Sequence, residues 1–316
     1  MAARDGDKTV VDELPGIVTI YYDGSIVRHN SHTTTPPTEF PTDATVASKD
    51  VVLNPVTGLW ARLFLPHHQQ NVPLAVYFHG GGFCFGDPAW DFYTRFISRL
   101  ATATSTLWAS VAYRLAPEHR LPVGFHDCLD AISSLTTSTD LWLKGTDCRH
   151  VFLAGDSAGG DLVYNCALHH CKEPHNRVEI VGLMLFHPGF IKQERSASET
   201  DSPKELVQVD ATARMALPPG EDKNYFMLNP RVPPVAETRL PPCLVVVGGK
   251  DLFRDRQVEF CEKMEGMGQM VEVVWYEEMR HCFMFEEDTE NSPEADDMVE
   301  KTVSFMERCG GFKKEG

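Results

Sequence analysis

Four short stretches of the chain carry residues with chemistry to offer. The first is Gly155-Asp156-Ser157-Ala158-Gly159-Gly160. It follows the apolar run 151–154 and precedes a segment with helical spacing, and G-x-S-x-G in that setting is a nucleophile elbow. Small residues permit the sharp turn that lifts the Ser157 hydroxyl above a sheet, while a helix N-terminus aims its amides at developing negative charge. The second is His79-Gly80-Gly81-Gly82-Phe83, at the end of the run 74–78. Three consecutive glycines bare their N–H groups, which suits an oxyanion hole built from Gly81 and Gly82 and completed by the amide of Ala158. A plain glycine-rich turn or a phosphate loop competes with this reading. No Gly-Lys-Ser/Thr follows, so the Walker form fails. Together the two stretches point to acyl transfer.

A serine hydroxyl is a weak nucleophile at neutral pH and needs a base, itself oriented by an acid. Behind an elbow the chain order is Ser, then Asp or Glu, then His. The third stretch, after the run 243–247, is Gly248-Gly249-Lys250-Asp251-Leu252-Phe253-Arg254-Asp255. Asp251 lies nearest the end of that run and is the expected acid. Asp255, one helical turn on, is the second candidate, with a helix-end or lid contact as its other role. The fourth stretch, Glu277-Glu278-Met279-Arg280-His281-Cys282-Phe283, supplies His281 as the base. Other histidines have plainer tasks. His79 is expected to hold the glycine turn, His126 sits in a helical stretch, and His67 and His68 fall in a polar loop. His187 could line the pocket without serving as base. The charged residues of Tyr113-Arg114-Leu115-Ala116-Pro117-Glu118-His119-Arg120-Leu121-Pro122 read as ion-pair or turn residues rather than substrate ligands. Cys166, His169, His170 and Cys171 look like metal ligands, but adjacent helix positions diverge by ~100° and cannot share a face. They are read as ordinary helix residues, and no metal is expected.

These stretches need strand ends to hang from. Apolar runs at 74–78, 107–113, 151–154, 181–186, 243–247 and 271–276 read as buried strands. Helical spacing fills 91–103, 124–135, 160–171 and 256–266 between them. That alternation predicts a mostly parallel sheet covered on both faces, with ligands at the carboxyl ends of its strands. Two regions break the pattern. Residues 1–50 hold a hairpin-like segment at 16–28, with Asp23-Gly24 as a turn signal, followed by a Thr/Pro-rich stretch at 33–45. Residues 190–240 are polar and Pro-rich, with a short helical piece near 202–217. Both are expected as excursions from the sheet that pack together as a lid, with plain surface loops as the other reading.

Composition narrows the partners. A chain of 316 residues with 42% hydrophobic content is enough for one large domain with a buried core. The net charge of −16 disfavours nucleic acid and anionic membrane surfaces, which would repel it. Runs such as 181–186 and 243–247 are far too short to span a bilayer. The N-terminus is charged and lacks an apolar h-region, so a cytoplasmic protein is expected. Nine cysteines without a C-x-x-C pair argue against a disulfide framework and agree with a reducing compartment.

The combination of His79-Gly-Gly-Gly-Phe, Tyr113-Arg-Leu-Ala-Pro-Glu and Gly155-Asp-Ser-Ala-Gly-Gly resembles the hormone-sensitive-lipase-like branch of the α/β-hydrolases, and more narrowly its plant carboxylesterases. Pro15-Gly16, Tyr22-Asp23-Gly24, Val27-Arg28, Ser48-Lys49-Asp50-Val51, Arg62-Leu63-Phe64-Leu65-Pro66 and Asn229-Pro230 are similar to that group too, so the likeness runs from about 14 to 308. It implies an α/β-hydrolase fold: one domain over 1–316 with a mostly parallel eight-stranded sheet, helices on both faces and a small cap from residues 1–50 and 190–235. It also implies hydrolysis of a small-molecule ester through an acyl-enzyme, without a cofactor. Phe83-Cys-Phe-Gly86, His119-Arg-Leu-Pro122 and the segment around Gly248-Gly249 and Leu252-Phe253-Arg254-Asp255-Arg256 look like the group containing esterases that act on strigolactones. The same scaffold also hosts hormone receptors resembling the gibberellin receptor, which lack the histidine, and dehydratases or cyclases, in which the serine or histidine is often replaced. Two departures stand out. Asp161 occupies a position where the family usually has Asn, and Thr212 and Ala213 stand where its cap helix commonly has an aromatic pair. Losing two rings removes ~150 Å² or more of apolar wall each, which predicts a roomier or differently shaped pocket.

Overall fold

Every apolar run named above becomes a strand, and residues between them coil into helices. The computed structural model describes residues 9–29, 32–39, 45–66, 72–173 and 178–310; His67 and His68 lie outside them. In chain order the elements are β1 (Val10–Leu14), β2 (Val18–Tyr21), β3 (Ile26–Arg28), β4 (Val46–Asn54), β5 (Leu59–Pro66), β6 (Val72–Phe78), α1 (Asp91–Thr104), β7 (Leu107–Ala112), α2 (Val123–Thr136) and α3 (Leu141–Lys144). They continue as β8 (Thr146–Asp156), α4 (Ala158–His170), β9 (Glu179–Phe186), α5 (Ala197–Thr200), α6 (Pro203–Ala216), β10 (Cys243–Gly248), α7 (Arg254–Gly266), β11 (Val271–Tyr276) and α8 (Pro293–Gly310).

Strands β4 to β11 form one eight-stranded sheet in the order β11-β10-β9-β8-β6-β7-β5-β4. β6 to β11 pair in parallel, whereas β5 runs antiparallel to β7 and β4 to β5. The period of two along each strand divides the core between two faces. Leu74, Val76 and Phe78 point with Leu153, Leu185 and Val245 toward Phe125, Leu162 and Phe260 of α2, α4 and α7. Ala75 and Tyr77 point with Phe152, Phe186 and Val246 toward Phe96, Leu100, Met298 and Phe305 of α1 and α8. Tyr77, Phe78, Phe152 and Phe186 are fully buried, and each such side chain contributes roughly 1.5–3 kcal/mol.

Among the elements outside the sequence expectation, β4, β5 and α8 were hidden for visible reasons. β4 is an edge strand in which Lys49, paired with Asp140, and the exposed Asp50 interrupt the apolar positions, so it shows no apolar run. β5 pairs beside it and ends in Pro66. In α8 the buried Ala295, Met298, Val299, Thr302, Phe305 and Met306 keep helical spacing, but acidic residues between them dilute the stripe. β11 is the opposite edge, and Val273 and Trp275 are exposed there rather than buried.

The hairpin-like segment gains a strand. β1, β2 and β3 form a small antiparallel sheet, and Ser25 donates to Asp23 Oδ1 at 2.9 Å in the Asp23-Gly24 turn, where Gly24 has φ +80°. This sheet meets α6 through the Arg214–Asp12 ion pair at 2.7 Å. Among the described residues no helix is long and apolar enough to cross a membrane.

Candidate active site

Ser157 sits between β8 and α4 at φ 50° and ψ −124°, held there because its amide donates to Phe186 O at 3.0 Å. The turn is this tight only because Gly159 has no Cβ, which would stand 1.9 Å from Phe78 O. A second constraint fixes the glycine loop. Gly81 has φ +103°, and a Cβ there would stand 2.0 Å from Phe85 O. Gly81, Gly82 and Ala158 all line the pocket that contains Ser157. As the first helical residue, Ala158 has an amide with no intrahelical acceptor.

His281 lies in the loop after β11, and its ring spans two partners. Nε2 is 2.9 Å from Ser157 Oγ, and Nδ1 is 2.8 Å from Asp251 Oδ2. Asp251 follows β10 and is buried. Burial favours its neutral form, but the neighbouring His281 charge and the hydrogen bonds from His187 and His281 outweigh that and hold it well below the usual carboxylate range. The effect on His281 is reciprocal. Burial disfavours its charged ring, yet the Asp251 charge and hydrogen bond raise its pKa above the ordinary value. The geometry therefore favours Nδ1–H donating to Asp251, which leaves Nε2 free to accept from Ser157.

A family model described as alpha/beta hydrolase fold matches residues 75–285. The chain belongs to that family. This hydrolase is 35% identical over 276 residues to carboxylesterase 20 of Arabidopsis thaliana, across 80% of the chain and 84% of the relative. It is 30% identical over 327 residues to 2-hydroxyisoflavanone dehydratase of Glycyrrhiza echinata, across 95% of the chain and 97% of the relative. Its fold superposes on carboxyl esterase 2 of the mycorrhizal fungus Tuber melanosporum with a TM-score of 0.74 at 22% identity, covering 87% of this chain and 91% of that one.

The remaining expected residues of the hydrolase separate cleanly. Asp255 does not meet His281; it accepts the Ser198 amide of α5 at 2.8 Å and pairs with Arg254. His187 is a correction: it does not line the pocket but lies fully buried, with Nδ1 3.1 Å from Asp251 Oδ2. Burial keeps its pKa low, so the ring acts as a neutral donor. Gln257 adds a third side-chain donor to Asp251 at 2.9 Å. Neither partner had a sequence signal beyond proximity to a strand end or to Asp251, because the contact exists only once β9 and β10 pair.

His79 stacks on Tyr113 with ring centroids 4.4 Å apart, and its Nδ1 lies 2.8 Å from Gly80 O. Burial pushes its pKa down to about 4, so it holds the loop as a neutral ring. Asp156, inside the elbow motif, was not singled out by the sequence. It accepts Tyr77 Oη at 2.6 Å and the Gly80 amide at 2.9 Å, tying the glycine loop to the elbow. Burial pushes its pKa up to about 6, although hydrogen bonds from Tyr77 and Gly80 oppose the rise. Arg114 pairs with Asp127 at 2.7 Å, and Arg28 of β3 donates to Cys84 O at 2.6 Å, to Ala116 O at 2.8 Å and to Glu118 at 2.9 Å. Arg28 thereby clamps the N-terminal sheet to the glycine loop. His170 of the Cys166–Cys171 cluster turns to Val178 O at 2.7 Å. Among the described residues, the one group with metal-ligand spacing is His187, Asp251 and His281, whose facing atoms already share hydrogen bonds.

The pocket has a volume of about 760 Å³. Phe83, Phe85, Trp90 and Phe253 give it apolar walls, and Val209, Thr212 and Ala213 of α6 close one side. Thr212 lies against the glycine loop, so near that a Cβ on Gly82 would stand 2.7 Å from its own.

Proposed function

We propose that the protein is a serine carboxylic-ester hydrolase in which Ser157, His281 and Asp251 form the catalytic triad. One observation carries the reading: an unbroken hydrogen-bonded chain runs from the Ser157 hydroxyl through His281 to a buried, ionised Asp251, at the wall of a pocket large enough for a small ester.

His281 Nε2 takes the Ser157 proton as Oγ attacks the ester carbonyl carbon. The carbonyl oxygen becomes an oxyanion received by the amides of Gly81, Gly82 and Ala158, each worth about 100- to 1,000-fold in rate. Asp251 stabilises the imidazolium that results. His281 then returns the proton to the departing alkoxide, leaving an ester on Ser157. Water, deprotonated by the same nitrogen, attacks that ester, and the proton passes from Nε2 to the departing Ser157 Oγ as the acid is released. No step calls for a cofactor.

The test is a p-nitrophenyl ester assay beside labelling with a fluorophosphonate serine probe. The expected result is turnover, and label on Ser157 that Ser157→Ala removes. Absence of labelling together with tight binding of a small hormone would favour a receptor instead. The dehydratase relative sets a second reading, since it matches nearly full length; the intact serine and histidine favour hydrolysis over it. Strigolactones enter the substrate panel on motif resemblance alone.

A further inference from the structure

Asp161 is the least explained side chain in the pocket. It lies on the first turn of α4, four residues after Ser157, and is fully buried while lining the pocket. Neither carboxyl oxygen has a hydrogen-bond partner among the described residues, and no basic side chain among them pairs with it. The Gly189 amide leans toward it but donates to Ser157 O at 3.1 Å. Asn165, one turn further along the same face, bonds to Met227 O, which directs this face at the segment carrying Leu228. Nothing in the triad or the oxyanion hole uses this carboxyl, and a buried polar group without a partner is costly to leave unsatisfied.

We propose that Asp161 determines substrate specificity, offering its carboxyl group as donor and acceptor to a hydroxyl on the ester that the pocket takes. The proposal rests on the esterase reading and extends it to a substrate class. Burial raises the Asp161 pKa and favours its neutral form, which offers one O–H and one carbonyl oxygen. A substrate hydroxyl satisfies both, whereas an alkyl isostere leaves them unpaired. A site built to bond a hydroxyl rejects the analogue without it. An ammonium group fits worse, because it needs an ionised carboxylate, which burial disfavours.

The experiment measures two matched pairs: p-nitrophenyl hexanoate against 6-hydroxyhexanoate, and hexyl acetate against 6-hydroxyhexyl acetate. The expected result is that one pair shows a hydroxyl preference in kcat/KM that Asp161→Leu reduces at least tenfold, while Asp161→Asn keeps it within about threefold. Taking the ratio within a pair cancels any change common to all esters, so a merely structural role leaves it unmoved and overturns the proposal. A preference for an aminohexyl ester that Asp161→Asn abolishes also overturns it. Should Leu not fold, Asp161→Ala removes the same oxygens. Calorimetric binding of the same pairs to the Ser157→Ala protein, with and without Asp161→Leu, reads the preference without turnover. Failure of the esterase reading and failure of this one are thereby separated.

Discussion

Asp251 accepts from His281, His187, Gln257 and the Phe253 amide, and this concentration of donors keeps a carboxylate ionised inside an apolar fold. Ser157→Ala and His281→Ala should each nearly abolish ester turnover. Asp251→Asn should lower kcat by about 10⁴-fold, because the wrong tautomer of His281 then faces the serine; wild-type rates in that variant would remove Asp251 from the mechanism. Its charge also sets a pH limb. Turnover needs neutral His281, whose pKa is raised, so kcat/KM should climb with pH through a midpoint above the ordinary imidazole value of about 6.5. In Asp251→Asn the midpoint of the residual activity should move down. Asp156 makes a separate statement about stability. Its folded pKa lies above its unfolded one, so its contribution is full below about pH 4 and is lost as pH rises through about 6. Denaturant titrations should show Asp156→Asn gaining on the wild type between pH 4 and pH 7, by on the order of 2–3 kcal/mol.

At the scale of elements, the elbow and the glycine loop work because backbones touch. Gly159→Ala should destabilise by more than about 3 kcal/mol in denaturant melts, since its methyl would stand against backbone, Phe78 O and His79 O, rather than against a side chain that can yield. The Arg28 clamp acts through the same loop. Arg28→Ala should lower kcat severalfold with about 1–3 kcal/mol of lost stability, and Arg28→Lys should rescue little, because a single ammonium cannot reproduce the fork that spans two carbonyls and Glu118. Equal kcat in all three proteins would disconnect the N-terminal sheet from the loop. What was readable at this scale follows from locality. Ser157, Asp251 and His281 each stand in a short motif after a strand, and strand-to-loop position needs no tertiary knowledge. His187, Gln257 and Asp156 find their partners across neighbouring strands or from an adjoining helix, so composition and spacing hold no trace of them. β4 and α8 were hidden for another reason: Lys49 and Asp50 interrupt the apolar residues of β4, and acidic residues between the buried positions of α8 dilute its stripe.

For the whole molecule, the charge of −16 acts at a distance. At the pocket, Asp91, Glu205, Glu286 and Glu287 outnumber Arg95, Lys250 and Arg280. Arg95 is paired with Asp91 and Glu290, Lys250 with Glu278, and Arg280 with Glu286. Anionic esters should therefore be slow substrates at low ionic strength and gain severalfold in kcat/KM as salt rises past ~0.1 M, where the Debye length is about 10 Å. Neutral esters should not respond, and a steady-state salt series on one matched pair checks it.

Thr212 reaches the reaction centre from a stretch of chain that contributes nothing to the sheet, and it does so by resting on Gly82. Part of the pocket wall thus comes from a segment apart from the one that bears Ser157, and the two meet at one seam. A graft of residues 190–235 from a relative would carry over its taste for substrates only if the residue arriving at 212 still leaves the glycine beneath it undisturbed.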